Sequence, residues 1–482
     1  MANTGNETLA QVDEFLREMF ELEVIPQDNR FGCTMQHIKK SHQFTGKSIE
    51  RKILSMRYTG ARMNADLEAD APDSYRIDSD PIVISQSDLR KIGFTLSYTD
   101  PAGKLAQGVN SSYNIAQELV TQAVGDLEER RNQGLNQNGN CVKAVIAAVY
   151  DEDGTTYSTG TGETDAFLNM DQGSISAFHP GMILDIREGD TDTDVQVTVK
   201  VNDVIYSEDH LGVSDIGPGI VVTIDTDYGA GGQDADLDGL DDGDEIVAHG
   251  ETDGDGFPGS FGTLIDFSSS PSTYFGVDRA AKGNAYLIPM GRDYTSGGNP
   301  VVINLDTHFG KMADEYGRLL VRSRKVRDAH PDFALTDAVV CQAQNSLINE
   351  IARQAGDSSS RFTKRIASDL DAAARQKLTA INGWTGVVLF HPNLPAIVLQ
   401  AEELAPANEI RFFEPSAFEM IRLGPKTPTF AMNGSSIWHR IYNSSTGAIT
   451  ADSQAHGYTW ETLFCNQPRL LYGIKGVKSS LE

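Results

Sequence analysis

The densest run of chemistry-bearing residues is DADLDGLDDGDE, from Asp234 to Glu245. It matches D-x-D-x-D-G-x5-E without substitution. In that pattern Asp234, Asp236 and Asp238 supply carboxylates and Leu240 a backbone carbonyl. Asp242 makes a direct or water-mediated contact, Glu245 a bidentate one, and Gly239 permits the sharp turn. So many like charges in so short a run repel unless a cation neutralises them, and the donor set suits a structural Ca2+. A solvent-exposed acidic loop is the other reading of the same residues. The flanks, Ile220 to Ile224 and Glu245 to Ala248, read as strands, not as the helices of an EF-hand. A bound ion would therefore clip a β-domain. TDGDGFPG follows, with Asp253 and Asp255, and reads as a Gly-rich turn that could add ligands.

Other signatures of chemistry are absent or broken. Thr45, Gly46, Lys47 and Ser48 are similar to the end of a phosphate-binding loop, but Ser41 stands where its first glycine belongs. There is no HExxH and no GxSxG. The histidines are scattered, and His391, between Phe390 and Pro392, reads as a packed or turn residue. Cys33, Cys141, Cys341 and Cys465 lie far apart without CxxC or metal spacing, so buried free thiols are expected. No enzymatic activity and no required cofactor are expected.

The elements that position these residues belong to a chain of 482 residues with a formal charge of -28. That length supports two to four domains. The acidity argues against a nucleic-acid-binding surface, which must be basic, and favours solubility. The N-terminus lacks the basic and apolar regions of a signal peptide, and apolar runs such as Ala144 to Tyr150 are too short to span a membrane. A soluble chain made in a cytoplasm is expected.

From Ser112 to Gly134 the sequence reads SYNIAQELVTQAVGDLEERRNQG. Tyr113, Ile115, Ala116, Leu119, Val120, Ala123, Val124 and Leu127 have the one-face spacing of a helix, with Ser112 as cap and Gly134 as stop. Glu128 to Gln133 carry charge and no apolar stripe, so that half is expected in solvent or against a partner. Before it, residues 1–46 form an arm with a short amphipathic helix, and 47–110 read as an extended two-stranded β-hairpin loop. Val142 to Tyr150 could be a buried strand or a further helix. Residues 179–256 read as an inserted β-domain, with strands at Met182 to Ile186, Val195 to Val201, Ile220 to Ile224 and Glu245 to Ala248. Helices are predicted from Thr307, as cap, to Ser323, and from Gln342 to Ala355. Short strands follow to the end.

This order of pieces resembles the major capsid protein of tailed bacteriophages. AFHPGMILDI and GDEIVAHG look like the family's entry to its inserted β-domain and a strand within it. YFGVDRAAKGNAYLIP is similar to the segment leading back to the main domain. NGWTGVVLFHP, EIRFFEPSAFEMIRLG and CNQPRLLYGIKGV are similar to the second domain and the closing strand. The resemblance covers nearly all of the chain from Gly46 onward and rests on the order of many weak matches. It implies an α+β capsid fold: N-terminal arm 1–46, extended loop 47–110, and peripheral domain 111–178 with the spine helix 112–134. The inserted β-domain 179–256, peripheral domain continued 257–335, axial domain 336–458 and return strand 459–482 complete it.

The implied function is structural: self-assembly into an icosahedral head enclosing double-stranded DNA. Its partners would be copies of itself in hexamers and pentamers, portal and scaffolding proteins, and decoration proteins; no membrane is involved. The implied place is the virion, with assembly in the host cytoplasm. An encapsulin-like compartment shares the fold; a secreted calcium-binding β-protein is the alternative from another class. Charge suits a lattice. Lys39, Lys40, Lys47, Arg51, Lys52, Arg57 and Arg62 concentrate positive charge in the arm and hairpin, while residues 185–255 are acidic, so arm and neighbour could set register. Lys39, Lys40, Lys47, Arg51, Lys52, Arg57, Arg130 and Arg131 are the expected inter-subunit contacts. Leu119→Asp is expected to stop folding, and Arg130→Glu with Arg131→Glu to leave a folded subunit with altered assembly.

Overall fold

The computed structural model describes residues 34, 37–38, 41–52, 81–99, 123, 125, 127–136, 141–151, 164–170, 175, 178–188, 195–205, 218–225, 237, 239–251, 256–265, 273–281, 284, 287–296, 299–326, 339–355, 363–366, 387–391, 394–402, 404–406, 408–424, 429–430, 439–442 and 449–480. The first half of the proposed spine helix, residues 53–80 and 100–110 of the hairpin loop, and most of the N-terminal arm lie outside them.

Three sheets organise the described residues. The first is built on one long strand, Ile449–Cys465. Arg90–Thr99 pairs antiparallel with it through ten registered positions, from Glu461↔Arg90 to Asp452↔Thr99. On its other side lie Phe418–Leu423, Thr429–Phe430 and His439–Tyr442. The second sheet has seven strands, in the order Met290–Asp293, Leu471–Lys475, Glu409–Phe413, Val339–Ala343, Leu394–Ala401, Val387–His391 and Thr363–Ile366. The third is a closed barrel of Glu245–Ala248, Ala144–Tyr150, Asp165–Met170, Gly219–Ile224, Val195–Ile205 and Ile183–Arg187.

The barrel closes for a reason visible in its residues. Val197, Val199 and Val201 alternate along Val195–Ile205 and point into a core shared with Ile146, Leu168, Ile186, Val222 and Ile246. Closure leaves no sheet edge to pair with another chain. The barrel core is separate from the main core, which joins the other two sheets to the helices. Val142 to Tyr150 resolves as a strand, Ala144–Tyr150, and together with Asp165–Met170 it belongs to the barrel. The inserted β-unit therefore begins near residue 144 and not at 179. Likewise 336–458 is not one closed unit. Phe418–Leu423 joins the first sheet, and the seven-stranded sheet is completed by Met290–Asp293 and Leu471–Lys475 from outside that range.

The helix is observed from residue 123 to 136 and does not stop at Gly134. Gly134 is there for proximity: a Cβ on it would sit 2.8 Å from the Phe257 ring. The predicted Thr307 to Ser323 helix is observed as a π-turn, Leu305–Phe309, running into Gly310–Val326. Its cap is Asn304, whose side chain accepts from Thr307 N at 2.9 Å. Met312, Ala313 and Tyr316 are fully buried there. The next helix, Asn345–Gln354, buries Leu347, Ile348 and Ile351 as its spacing predicts.

The FGVDR stretch makes a tight turn in which Tyr274 N donates to Val277 O at 2.9 Å, with Phe275 and Gly276 at positive φ. Arg279, buried, then donates to the carbonyls of Thr263 and Leu264 at 2.8 and 2.9 Å, satisfying the end of the short helix Phe261–Leu264. Gly259 nearby packs against the long strand, and a Cβ on it would stand 2.0 Å from Leu463 O. Gly259→Ala should therefore destabilise by at least about 2 kcal/mol, because the obstructing atom is backbone and cannot rotate away. Gly310→Ala, with open space around it, should be neutral or stabilise by up to about 1 kcal/mol. Urea unfolding of the two variants measures the contrast.

Candidate functional site

The polar half of the helix is the centre of a buried joint. Glu128, Arg131, Asn132 and Gln133 are each no more than 3% exposed. For these four residues this corrects the expectation of solvent or a partner; Glu129 and Arg130 between them are half-buried. The residues are polar because polar groups from three other segments meet them. Arg131 Nε donates to Glu461 Oε1, and Arg422 Nε donates to Glu461 Oε2 at 2.9 Å. Glu461 thus holds the helix to the long strand and the long strand to Phe418–Leu423. Its carboxyl lies below the usual carboxylate range. Burial pushes it up, but the attraction of Arg131 and then Arg422 outweighs burial.

At the next helix position, Asn132 Nδ2 donates to Glu402 Oε1 at 2.9 Å. Glu402 Oε2 accepts from Thr34 N at 3.1 Å, Thr34 Oγ1 at 2.8 Å and Gln342 Nε2 at 3.2 Å. Asn136 Nδ2 donates to Thr34 Oγ1 at 3.1 Å, and Arg411 Nη1 donates to Asn136 Oδ1 at 3.1 Å. His37 hydrogen-bonds Gln400 beside them. The segment near residue 34 is thereby bound to both the helix and the seven-stranded sheet. No arginine pairs with Glu402 in these bonds, and burial raises its carboxyl above the usual range despite the hydrogen bonds from Thr34 and Asn132.

The base of the hairpin is bound to the first sheet. Ser48–Lys52 and Pro81–Ser85 are antiparallel, from Ser48↔Ser85 to Lys52↔Pro81. Ile82 and Ile84 are fully buried, while Val83 between them is exposed. Just before the hairpin, Ser41–Gln43 runs parallel to Phe418–Leu423, and Phe44 N donates to Arg422 O at 2.6 Å. Arg51 Nη2 lies 2.7 Å from Glu419 Oε1.

Of the expected contact residues, Lys47 is exposed, and Arg51 makes that intramolecular ion pair. Lys39, Lys40 and Arg57, and the side chain of Lys52, lie outside the described residues. Arg130 pairs with Glu251 of its own chain. Arg131 is 1% exposed and held by Glu461, so it is a core residue and no inter-subunit contact. Reversing its charge would break the joint, so the Arg130→Glu and Arg131→Glu pair cannot serve as a surface probe.

In the Asp-rich loop, Asp234, Asp236 and Asp238 lie outside the described residues. Leu240 is buried in the barrel core, Asp242 is exposed, and Glu245 Oε2 accepts from Arg187 Nη2 at 3.3 Å. No group of three or more potential metal-binding side chains occurs among the described residues. Cys141, Cys341 and Cys465 are buried free thiols, as expected; Cys33 lies outside the described residues.

Sequence reading did not single out Thr34, Glu402, Arg411, Arg422 or Glu461. The signal was present as charges inside otherwise strand-like runs: Glu461 in YTWETLF, and Arg411 in EIRFF, where its Nε donates to Glu409 Oε1 at 2.7 Å. A lone charge in a strand interior costs too much to bury without a partner.

No family model matches the chain, and no curated protein matches it in sequence. Solved structures do resemble it. The capsid asymmetric unit of cyanophage A-1(L) is 10% identical, covers 93% of both chains and has a TM-score of 0.48. The capsid of a native GTA particle is 8% identical over 92% of this chain and 90% of its own, with a TM-score of 0.40. The holo-SrpI encapsulin complex from Synechococcus elongatus PCC 7942 is 8% identical over 91% and 86%, with a TM-score of 0.33. These three are shell structures of a cyanophage, a GTA particle and an encapsulin.

The two buried carboxylates should respond oppositely to substitution. For Glu461 the folded pKa is lowered, so its stabilisation is present above the unfolded value and lost as pH falls through the folded one. For Glu402 the folded pKa is raised, so its contribution is present below the unfolded value and lost as pH rises through the folded one. Glu461→Gln should cost about 3–5 kcal/mol at pH 7, because it removes the negative charge that both guanidinium groups face. Glu402→Gln should stay within about 1 kcal/mol, because its amide can donate to Asn132 Oδ1, which has no partner in the described structure, after an amide flip. Denaturant unfolding at neutral pH distinguishes them; equal costs would refute the assignment.

Proposed function

We propose that this chain is a shell-forming structural protein, a major capsid protein of the tailed-phage type. Many copies would tile an icosahedral head around packaged double-stranded DNA. The observation that carries this reading is the arrangement of the first sheet. Ser41–Gln43 and Phe44 are stitched to Phe418–Leu423, and the hairpin base is held beside them by Arg51 and Glu419. Residues 53–80 leave and return at the adjacent positions Lys52 and Pro81. An N-terminal segment and a hairpin rooted on one rigid sheet suit a subunit that reaches over its neighbours. The sequence resemblance in arm, hairpin, helix and inserted β-unit supports the same conclusion. The charge of -28 suits an inner wall that does not hold packaged DNA tightly.

The partners would be further copies in hexamers and pentamers, with portal, scaffolding and decoration proteins. Assembly would take place in the host cytoplasm and the protein would reside in the virion. Its role would be structural and not enzymatic. Calcium in the Asp-rich loop belongs to the same proposal as a clip on the barrel. Calorimetry should show a calcium-specific heat that is lost in Asp236→Ala, and no such heat in the unsubstituted chain ends that part of the reading.

Electron microscopy of the expressed protein tests the main proposal. Closed shells, capsomers or tubes are expected. A strictly monodisperse monomer under every assembly condition would overturn it. Charge reversal at Lys39, Lys40 and Lys47, which leaves the Arg51 ion pair intact, should yield folded subunits with impaired assembly; normal particles would remove the arm from the mechanism.

A further inference from the structure

A cavity of about 900 Å3 opens between the helix, the strand Arg90–Thr99 and the mouth of the barrel. Lys143 lines it from the residue before the barrel strand Ala144–Tyr150, and its side chain is only 5% exposed. Its Nζ donates to Gln133 Oε1 at 2.9 Å, and that same oxygen accepts from Arg130 Nη1 at 2.8 Å. Two cations therefore converge on one neutral oxygen. An ammonium has three donors. Among the described residues the other contact of Lys143 Nζ is the face of Phe178, 5.9 Å from the ring centroid, and no carboxylate pairs with it.

The wall carries an excess of positive charge in a strongly negative chain. Arg90 and Lys91 join Lys143 and Arg130, against Glu129 and Glu251. Glu251 is taken up by Arg130, and Glu129 faces His179 at 3.1 Å. The remaining titratable groups on the wall are Cys141 and His249, the latter 2.9 Å from Asp185. Burial, and then the charge of Arg130, push the Lys143 amine down to about 7. Glu129 attracts this ammonium from a distance, so a buried cation with spare donors, beside a second cation and open to a cavity, has no carboxylate in direct contact. Trp460, Phe257 and Leu127 give the same cavity apolar wall, the mixture typical of a ligand site.

We propose that this cavity is a carboxylate-binding site in which Lys143 and Arg130 are the recognising cations and Gln133 holds the two side by side. A carboxylate oxygen accepts from the free Lys143 donors and neutralises the paired charges, in a place where low dielectric strengthens the contact. The shared chemistry is the carboxylate, carried either by a free organic acid or by an acidic side chain of a second copy of this chain. The site does not depend on the shell reading.

Calorimetry on the full chain, kept as dissociated subunits, tests it with two probes: succinate, and a short peptide of Asp and Gly as in the chain's own acidic loops. Binding of either probe is expected near pH 6, weakening about tenfold or more near pH 8.5 as the Lys143 ammonium is lost. Succinate binding would assign the site to free acids, and binding of the peptide alone would assign it to an acidic segment. Lys143→Met should lose at least about tenfold in affinity. Lys143→Arg, which keeps the charge and fold, should bind near pH 6 and lose the pH dependence. No binding of either probe by the unsubstituted chain at about 10 mM overturns the proposal, as does undiminished binding by a folded Lys143→Met. PH dependence that persists in Lys143→Arg would move the titration to His179 or His249 and overturn the role given to Lys143.

Discussion

A single buried carboxylate, Glu461, sits where the main structural units meet. It lies toward the C-terminal end of the long strand Ile449–Cys465 and takes Arg131 from the helix on one oxygen and Arg422 from the neighbouring strand on the other. None of the three is more than 5% exposed. Desolvating these charges is costly, and an apolar triad of equal volume could be as stable. What the ionic arrangement supplies is direction. Two guanidinium groups meet one carboxylate in only a narrow range of geometry, so the helix cannot slide along the sheet without leaving a charge unpaired.

The second polar cluster extends the same constraint to the N-terminal segment. Glu402, Gln342 and Asn132 all reach Thr34 or its bonding partners. Thr34 is more than three hundred positions from Glu402 in sequence, so the cluster forms only when the seven-stranded sheet, the helix and the early segment are all in place. Apolar packing supplies the bulk of the burial in the main core, but it is tolerant of small shifts. The polar joints are not. Under the proposed shell function, a subunit would have to present its arm, hairpin and outer strands at fixed angles to neighbours, and such joints would meet that requirement without adding area.

The barrel is held differently. Its core is apolar and closed on itself, so it behaves as a unit set on the mouth of the cavity that contains Lys143. In that cavity barrel, helix and first sheet meet across open space. Its excess of cations is unlike the rest of this acidic chain.

Periodicity alone determined much here. The alternation of Val197, Val199 and Val201 and the spacing of Leu347, Ile348 and Ile351 were enough to place a strand and a helix, because side-chain direction repeats with a fixed local period; the apolar run from Val142 to Tyr150 left strand and helix open. The order of those elements was enough to suggest the α+β capsid-like architecture. Other features were beyond reach of local pattern. Glu128 to Gln133 read as a solvent face because a charged stripe on a helix looks the same whether water or buried partners satisfy it. Only the approach of Glu461, Glu402 and Thr34, each far away in sequence, decided that it is buried. Gly134 read as a stop for the same reason: the Phe257 ring that demands a glycine there is brought by tertiary packing. The residues of Ala144–Tyr150 and Asp165–Met170 fell in the range given to the peripheral domain because hydrophobicity reports that a segment is buried, not which partner buries it. Lys143 carried no sequence signal at all, since its character comes from Arg130, Gln133 and the cavity that the fold assembles around it.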